Sequence, residues 1–219
     1  MGQPVTVVVP CRNEADALPV VLAAIPPEYS VIVVDNGSTD ATAEVATAWG
    51  ARVVHEPQPG YGAAVLAGIA TVTTPLTAVI DGDGSLDPKE LAQLIAAVEA
   101  GADLAVGRRR SRLSEAGVWP WHARLGSSVA AWRLRRKHGV DVHDIAPMRV
   151  ARTDRLQGLN VQDRRFGFPI ELLVRAGAAN WRISEHDISY RRRAGGVSKV
   201  SGSVRGSFVA TVDFLRMLR

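Results

Sequence analysis

Apolar residues come in short dense blocks along the first half of the chain, separated by polar, glycine-rich stretches. VTVVV (5–9), VIVV (31–34), ARVVH (51–55), LTAVI (76–80) and DLAV (103–106) are too short for helices and read as buried strands. Segments with helical spacing lie between them. They cover 15–25, ending at Pro26–Pro27; 40–49, with Thr39 or Asp40 as N-cap and Gly50 beyond its end; 62–72; and 88–100, with a proline in its first turn and Gly101 after it. Strands of continuous apolar character alternating with helices predict an α/β fold, a mostly parallel sheet with helices on both faces. The second half is less regular. Helices are expected over 119–136, 170–178 and 204–218, strands over 148–151 and 183–190, and a basic, glycine-containing loop over 191–202. No repeat or low-complexity linker divides the chain, so one domain is expected over 1–219.

Composition narrows the class. The chain has 219 residues, 47% apolar and 22% charged, the mix of a globular protein with a substantial core. No apolar run reaches the ~18 residues of a membrane span. The strand-like opening, MGQPVTVVVPCRNE, is not a signal peptide. The single cysteine, Cys11, cannot form an internal disulfide, which fits a reducing cytosol. The net charge of +4 is carried mostly by arginine, in three clusters: Arg108–Arg109–Arg110 with Arg112, Arg133–Arg135–Arg136–Lys137, and Arg191–Arg192–Arg193. The middle cluster reads as a solvated face. The arginine fork suits phosphate oxygens, so the other two point to a polyanionic partner. Nucleic acid is not expected, because the few aromatics are not interleaved with the basic clusters.

Four polar motifs follow directly after strands: PCRNE (10–14), DNGSTD (35–40), GYG (60–62) and DGDGS (81–85). In a parallel sheet such loops share one edge, where ligands bind. Asp81 and Asp83, one residue apart and flanked by glycine, suit Mg²⁺ or Mn²⁺, which prefer hard oxygens and commonly take carboxylates together with phosphates. An EF-hand loop is excluded, since Leu86 stands where it needs glycine and Ala92 where it needs glutamate. A bare Asp-Gly turn is the competing reading; the three neighbouring polar loops favour the metal. GYGAAVLAG (60–68) is only a weak dinucleotide fingerprint. There is no P-loop and no His/Cys cluster.

Taken in order, PCRNE (10–14), VVDNGSTD (33–40), GYGAAVLAG (60–68), DGDGSLDP (81–88), VGRR (106–109), DIAPMR (144–149), IELLVRA (170–176) and RAGGVSK (193–199) resemble family 2 glycosyltransferases. These have the GT-A fold, a Rossmann-like sheet, and the nearest branch is the dolichol- or polyprenyl-phosphate sugar synthases. The resemblance spans nearly the whole chain. It implies a nucleotide-sugar-binding half over 1–107 and an acceptor-binding half over 108–219. It implies an inverting, metal-dependent transfer from a GDP-mannose or UDP-glucose type donor, with polyprenyl phosphate as the acceptor or, alternatively, a soluble hydroxyl. A non-catalytic nucleotide-binding module is the alternative from another class.

The roles implied by this resemblance fall on particular positions. Pro10, Arg12, Glu14, Val34, Asp35, Asn36, Gly62 and Gly82 would line the nucleotide-sugar pocket. Asp81 and Asp83 would form the DXD motif, with Ser85 beside the metal. Arg109, Arg124 and Ser128 would face the acceptor phosphate. Arg193 and Lys199 would close over the diphosphate. Asp144 and Glu171 would sit near the sugar and the acceptor, as general bases if the acceptor is a hydroxyl. Expected partners are the donor, a polyprenyl-phosphate acceptor, the inner face of the membrane and a second copy of the chain. The expected location is the cytoplasm, peripheral to the membrane. This sequence departs from the family at Asn36, where a second aspartate is common, and in DIAPMR, which is a residue short. It also shows no C-terminal transmembrane helices. Val204, Phe208, Val212 and Leu215 form a helical stripe read as core, with Arg205, Arg216 and Arg219 suited to an anionic surface.

Overall fold

The computed structural model describes residues 2–110, 112–115, 117–145 and 147–195. The expected helix over 204–218, the end of the basic loop and Lys199 lie outside these residues. The chain runs β1 (Val5–Cys11), α1 (Leu18–Ala24), β2 (Ser30–Asp35), α2 (Thr42–Ala48), β3 (Arg52–His55), α3 (Tyr61–Ala70), β4 (Leu76–Val79), α4 (Leu91–Glu99), β5 (Leu104–Arg109), α5 (Trp121–His138), β6 (Met148–Arg152), α6 (Thr153–Gly158), α7 (Phe168–Ala178) and β7 (Ile183–Ile188). A 3₁₀ turn, Pro88–Glu90, precedes α4, and its N-cap Asp87 accepts a hydrogen bond from the Lys89 amide.

One seven-stranded sheet carries the fold, in the order β3-β2-β1-β4-β6-β5-β7. β6 alone is antiparallel to its neighbours, pairing Ala78 with Val150 on β4 and Ala105 with Val150 on β5. Both faces are covered, as continuous apolar strands require. Val8, Val34, Val79 and Val106 face a core completed by α3, α5 and α7. Val7, Val9, Val33 and Ala78 face the opposite core, built with α1, α2 and α4.

The sheet and its five early strands match the sequence pattern. The corrections are local. α1 begins at Leu18 rather than 15, because residues 14–17 turn first, with Ala17 and Leu18 amides donating to the Glu14 carbonyl. Asp40 sits two residues before the start of α2, and accepts from the amide and hydroxyl of Thr42 and from the Ala15 amide. α6 carries no apolar periodicity long enough to announce it and was not expected.

Candidate active site

The loops after β1, β2, β3 and β4 converge on a cavity of about 610 Å³, within the range of a small-molecule site. Pro10, Arg12 and Glu14 line it from the first loop, Asn36 from the second, Gly60 and Tyr61 from the third, and Asp81, Gly82 and Asp83 from the fourth. The opposite wall comes from Arg109, Trp119, the start of α5, Arg149 and Arg193. The carboxyl-end rule for open α/β sheets thus assembles acidic residues from one half against arginines from the other.

Asp81 and Asp83 form the acidic floor. Burial pushes the Asp81 carboxyl up to about 6, and the adjacent Asp83 charge adds to this; Arg149, Arg109 and a hydrogen bond with Tyr61 oppose it. Its Oδ1 is buried without a hydrogen-bond partner among the described residues. Asp83 accepts from the Ser85 amide at 2.8 Å and from Arg193 Nη1 at 2.5 Å. Arg193 Nη2 also donates to Glu14 at 2.8 Å. One guanidinium therefore sits between carboxylates from two loops. The segment carrying Arg193 is fixed to the fourth loop, with Arg191 and Ala194 amides donating to the carbonyls of Ser85 and Asp83. Gly84, at φ 74°, permits the turn beneath it, and a Cβ there would lie 2.8 Å from Ala194.

The basic wall is preorganised. Asp144 is 1% exposed and receives Arg109 through its backbone amide, Nε and Nη2, together with the Ser127 hydroxyl and the Ile145 amide. Burial alone would raise its carboxyl; the Arg109 charge and these hydrogen bonds hold it below the ordinary value instead. Arg109 then stacks over Trp119 at 4.4 Å and Tyr190 at 5.4 Å. Arg149, 3% exposed on β6, donates to the Tyr61 hydroxyl at 3.1 Å. Asp81 Oδ1, Arg149 Nε, Arg193 Nε and Trp119 Nε1 are all buried without hydrogen-bond partners among the described residues, and all four residues line the cavity. Unpaired buried polar atoms are costly, so such a concentration marks a place built for a polar ligand. Hard carboxylate oxygens, one of them unpartnered, also fit Mg²⁺ or Mn²⁺. Among the described residues no group of three His, Cys, Asp or Glu could hold a metal; two carboxylates with ligand phosphates and water are a common Mg²⁺ set.

Several expected site residues lie elsewhere. Val34 is fully buried in the core. Asp35 holds the turn at Ser38 and faces His55 at 3.3 Å. Asn36 reaches the cavity, but its amide donates to the carbonyls of Glu56 and Gln58 and accepts from Gly60, so it ties down the third loop rather than offering its edge to a base. Gly62 packs against the 163–165 backbone, where a Cβ would meet the Asp163 carbonyl at 2.2 Å. Ser85 is buried and shares a hydrogen bond with Tyr190 outside the cavity lining. Glu171 receives the Gln162 and Asp163 amides and Arg175 Nε, so it anchors a loop and does not face the cavity. Asp144 is likewise consumed by Arg109 and is not part of the lining. Arg124 lies at the rim, 5.8 Å from the Trp119 ring, and Ser128 is exposed; Ser127, one position earlier, reaches the cavity. Tyr61, Trp119, Arg149 and Tyr190 were not singled out. Tyr61 and Arg149 stand inside quoted motifs, GYG and DIAPMR, and an arginine at the start of an otherwise apolar strand is the signal to follow.

Comparison with known proteins agrees with this architecture. The family model for glycosyl transferase family 2 matches residues 6–157. An uncharacterized glycosyltransferase of Mycobacterium tuberculosis is 58% identical over 218 residues, covering 99% of both chains. The polyprenol monophosphomannose synthase of Mycolicibacterium smegmatis is 35% identical over 90% of this chain and 81% of its own. Among solved structures, glucosyl-3-phosphoglycerate synthase from Mycobacterium tuberculosis superposes with a TM-score of 0.77 at 22% identity, over 99% of this chain and 80% of that one. A crystal structure of that synthase contains Mn²⁺ and uridine diphosphate. From its sheet, its strand-end cavity and its relatives, the chain belongs to glycosyltransferase family 2 and has the GT-A fold.

Proposed function

We propose that this glycosyltransferase moves a sugar from a nucleoside diphosphate sugar to a polyprenyl phosphate at a membrane surface. One observation carries the choice of acceptor. The carboxylates that line the cavity are Glu14, Asp81 and Asp83; Glu14 is paired with Arg193, and Asp144 and Glu171 are sequestered. With Asp81 and Asp83 reserved for the metal and Glu14 kept by Arg193, no carboxylate among the described residues remains to deprotonate a hydroxyl. A phosphate acceptor is already ionised near neutral pH and needs no base. The relatives named for polyprenyl-phosphate transfer support the same reading.

Asp81 and Asp83 would hold Mg²⁺ or Mn²⁺, which would screen the charge that builds on the leaving diphosphate. Pro10 and Arg12 line the cavity and would meet the nucleotide. Arg193 Nη1 would turn from Asp83 to the diphosphate as the donor enters, while Nη2 keeps its pair with Glu14. Lys199 is assigned to the same task. Arg109 and Arg149, held by Asp144 and Tyr61, orient the acceptor phosphate for in-line attack on the anomeric carbon, with inversion. An ionised phosphate nucleophile needs no base to activate it.

Thermal-shift measurements with GDP, UDP and dTDP sugars, with and without Mn²⁺, test the donor side. Metal-dependent stabilisation by at least one is expected, and its loss in Asp83→Ala at an unchanged metal-free Tm. Transfer to a short-chain polyprenyl phosphate, but not to the matching polyprenol, tests the acceptor. No nucleotide-dependent stabilisation, or equal transfer to the alcohol, overturns the assignment.

A further inference from the structure

Seven large hydrophobic residues are exposed among the described residues, and four of them share one helix. Trp121, Leu125, Val129 and Trp132 of α5 are 74%, 56%, 45% and 53% exposed. At 3.6 residues per turn they fall within about 80° of arc, so they form one continuous stripe rather than scattered contacts. The opposite side of the helix is already used, with Ser127, Ala130, Ala131 and Leu134 buried against the domain. The other three, Val20, Trp49 and Leu113, lie outside this helix.

The charge around the stripe selects what covers it. α5 contains no aspartate or glutamate, and carries Arg124, Arg133, Arg135, Arg136 and Lys137. A second copy would bring two such helices together and pay for like-charge contact. An anionic bilayer is attracted by the same residues, while the two tryptophans suit the headgroup boundary, where an apolar ring with a polar edge is at home. The surface also adjoins the site. Pro120, His122, Ala123 and Gly126 line the cavity from the neighbouring face of the same helix.

We propose that α5 is a membrane-docking face, laying Trp121, Leu125, Val129 and Trp132 into the headgroup region of an anionic leaflet. The arginine cluster that reads in sequence as a solvated face is thereby its electrostatic anchor. The cavity mouth then opens at lipid level, and a lipid-borne phosphate would enter laterally from the leaflet. This second step rests on the acceptor reading above; the docking surface itself does not.

Flotation of the full chain with vesicles of phosphatidylglycerol and phosphatidylcholine, without donor or polyprenyl phosphate, tests the surface separately from the reaction. Binding is expected to be at least tenfold stronger than to phosphatidylcholine alone and to weaken in high salt. Leu125→Glu with Trp132→Glu should cut it at least tenfold, and Leu125→Ala with Trp132→Ala by less, at an unchanged Tm. Wild-type protein that fails to float, or variants that float equally well, overturn the proposal. So does a wild-type dimer that these substitutions dissociate without altering vesicle binding.

Discussion

Asp81 is held in an environment that disfavours its own charge, as metal-free ligand sites often are. The sign of the effect on stability is definite. Its folded value, about 6, lies above its ordinary 3.8, so the fold prefers the protonated form and this group lowers stability as pH rises between those values. In metal-free protein Asp81→Asn should therefore raise stability at pH 7, by on the order of 1–3 kcal/mol. The gain should vanish below pH 4, and transfer should be lost at every pH. Denaturant titrations at the two pH values check it. Asp144 acts in the opposite sense. Its value is lowered, so its stabilisation is present above 3.8 and disappears as pH falls through the folded value. Asp144→Ala leaves Arg109 buried without its counter-ion and should cost about 3–5 kcal/mol. The placement of the cavity residues was partly legible in the sequence. Carboxylates one residue apart at a strand end announce themselves. The partner of each side chain does not: nothing in the sequence shows that Ser127 lines the cavity while Ser128 is exposed, or that Glu171 binds the 162–163 amides.

Elements were easier to read than residues, because a buried parallel strand is spelled by its own apolar run and needs no partner to identify it. What the pattern leaves out is spacing between layers. α3 contains glycine at 62 and 68, poor choices for a helix considered alone. Its packing explains one of them at once: a Cβ at Gly68 would lie 2.4 Å from Val8 Cγ1 and 2.8 Å from Val34 Cγ2. The glycine lets the helix rest directly on β1 and β2, behind the loops that build the site. Gly68→Ala should thus destabilise by about 1–3 kcal/mol through overpacking, despite a better intrinsic helix preference. Gly126→Ala on α5 meets nothing within 4 Å and should stabilise by up to about 1 kcal/mol. Urea melts of the pair separate packing from propensity.

At the scale of the whole molecule, Arg193 joins loops that are far apart in sequence. It comes from beyond β7 and spans Glu14, after β1, and Asp83, after β4. With no donor present its guanidinium partly neutralises the acidic floor. Arg193→Ala should consequently raise Mn²⁺ affinity severalfold in the absence of nucleotide, measured by calorimetry, while lowering the rate of transfer. A variant whose Mn²⁺ affinity is unchanged would show that the pair plays no such part. The sheet imposes a related dependence between the halves. β5 makes no ladder with β4; it meets the early strands only through β6, residues 148–152. A chain emerging from the ribosome must therefore wait for this late strand before its sheet can close. Until then β4 presents a bare edge and β5 has no neighbour on the β4 side. In that interval an unpaired strand edge is open to misassociation. The reversed strand that carries Arg149 into the cavity wall is thus also the stitch that joins the two parts of the sheet, with β7 left to add outside β5.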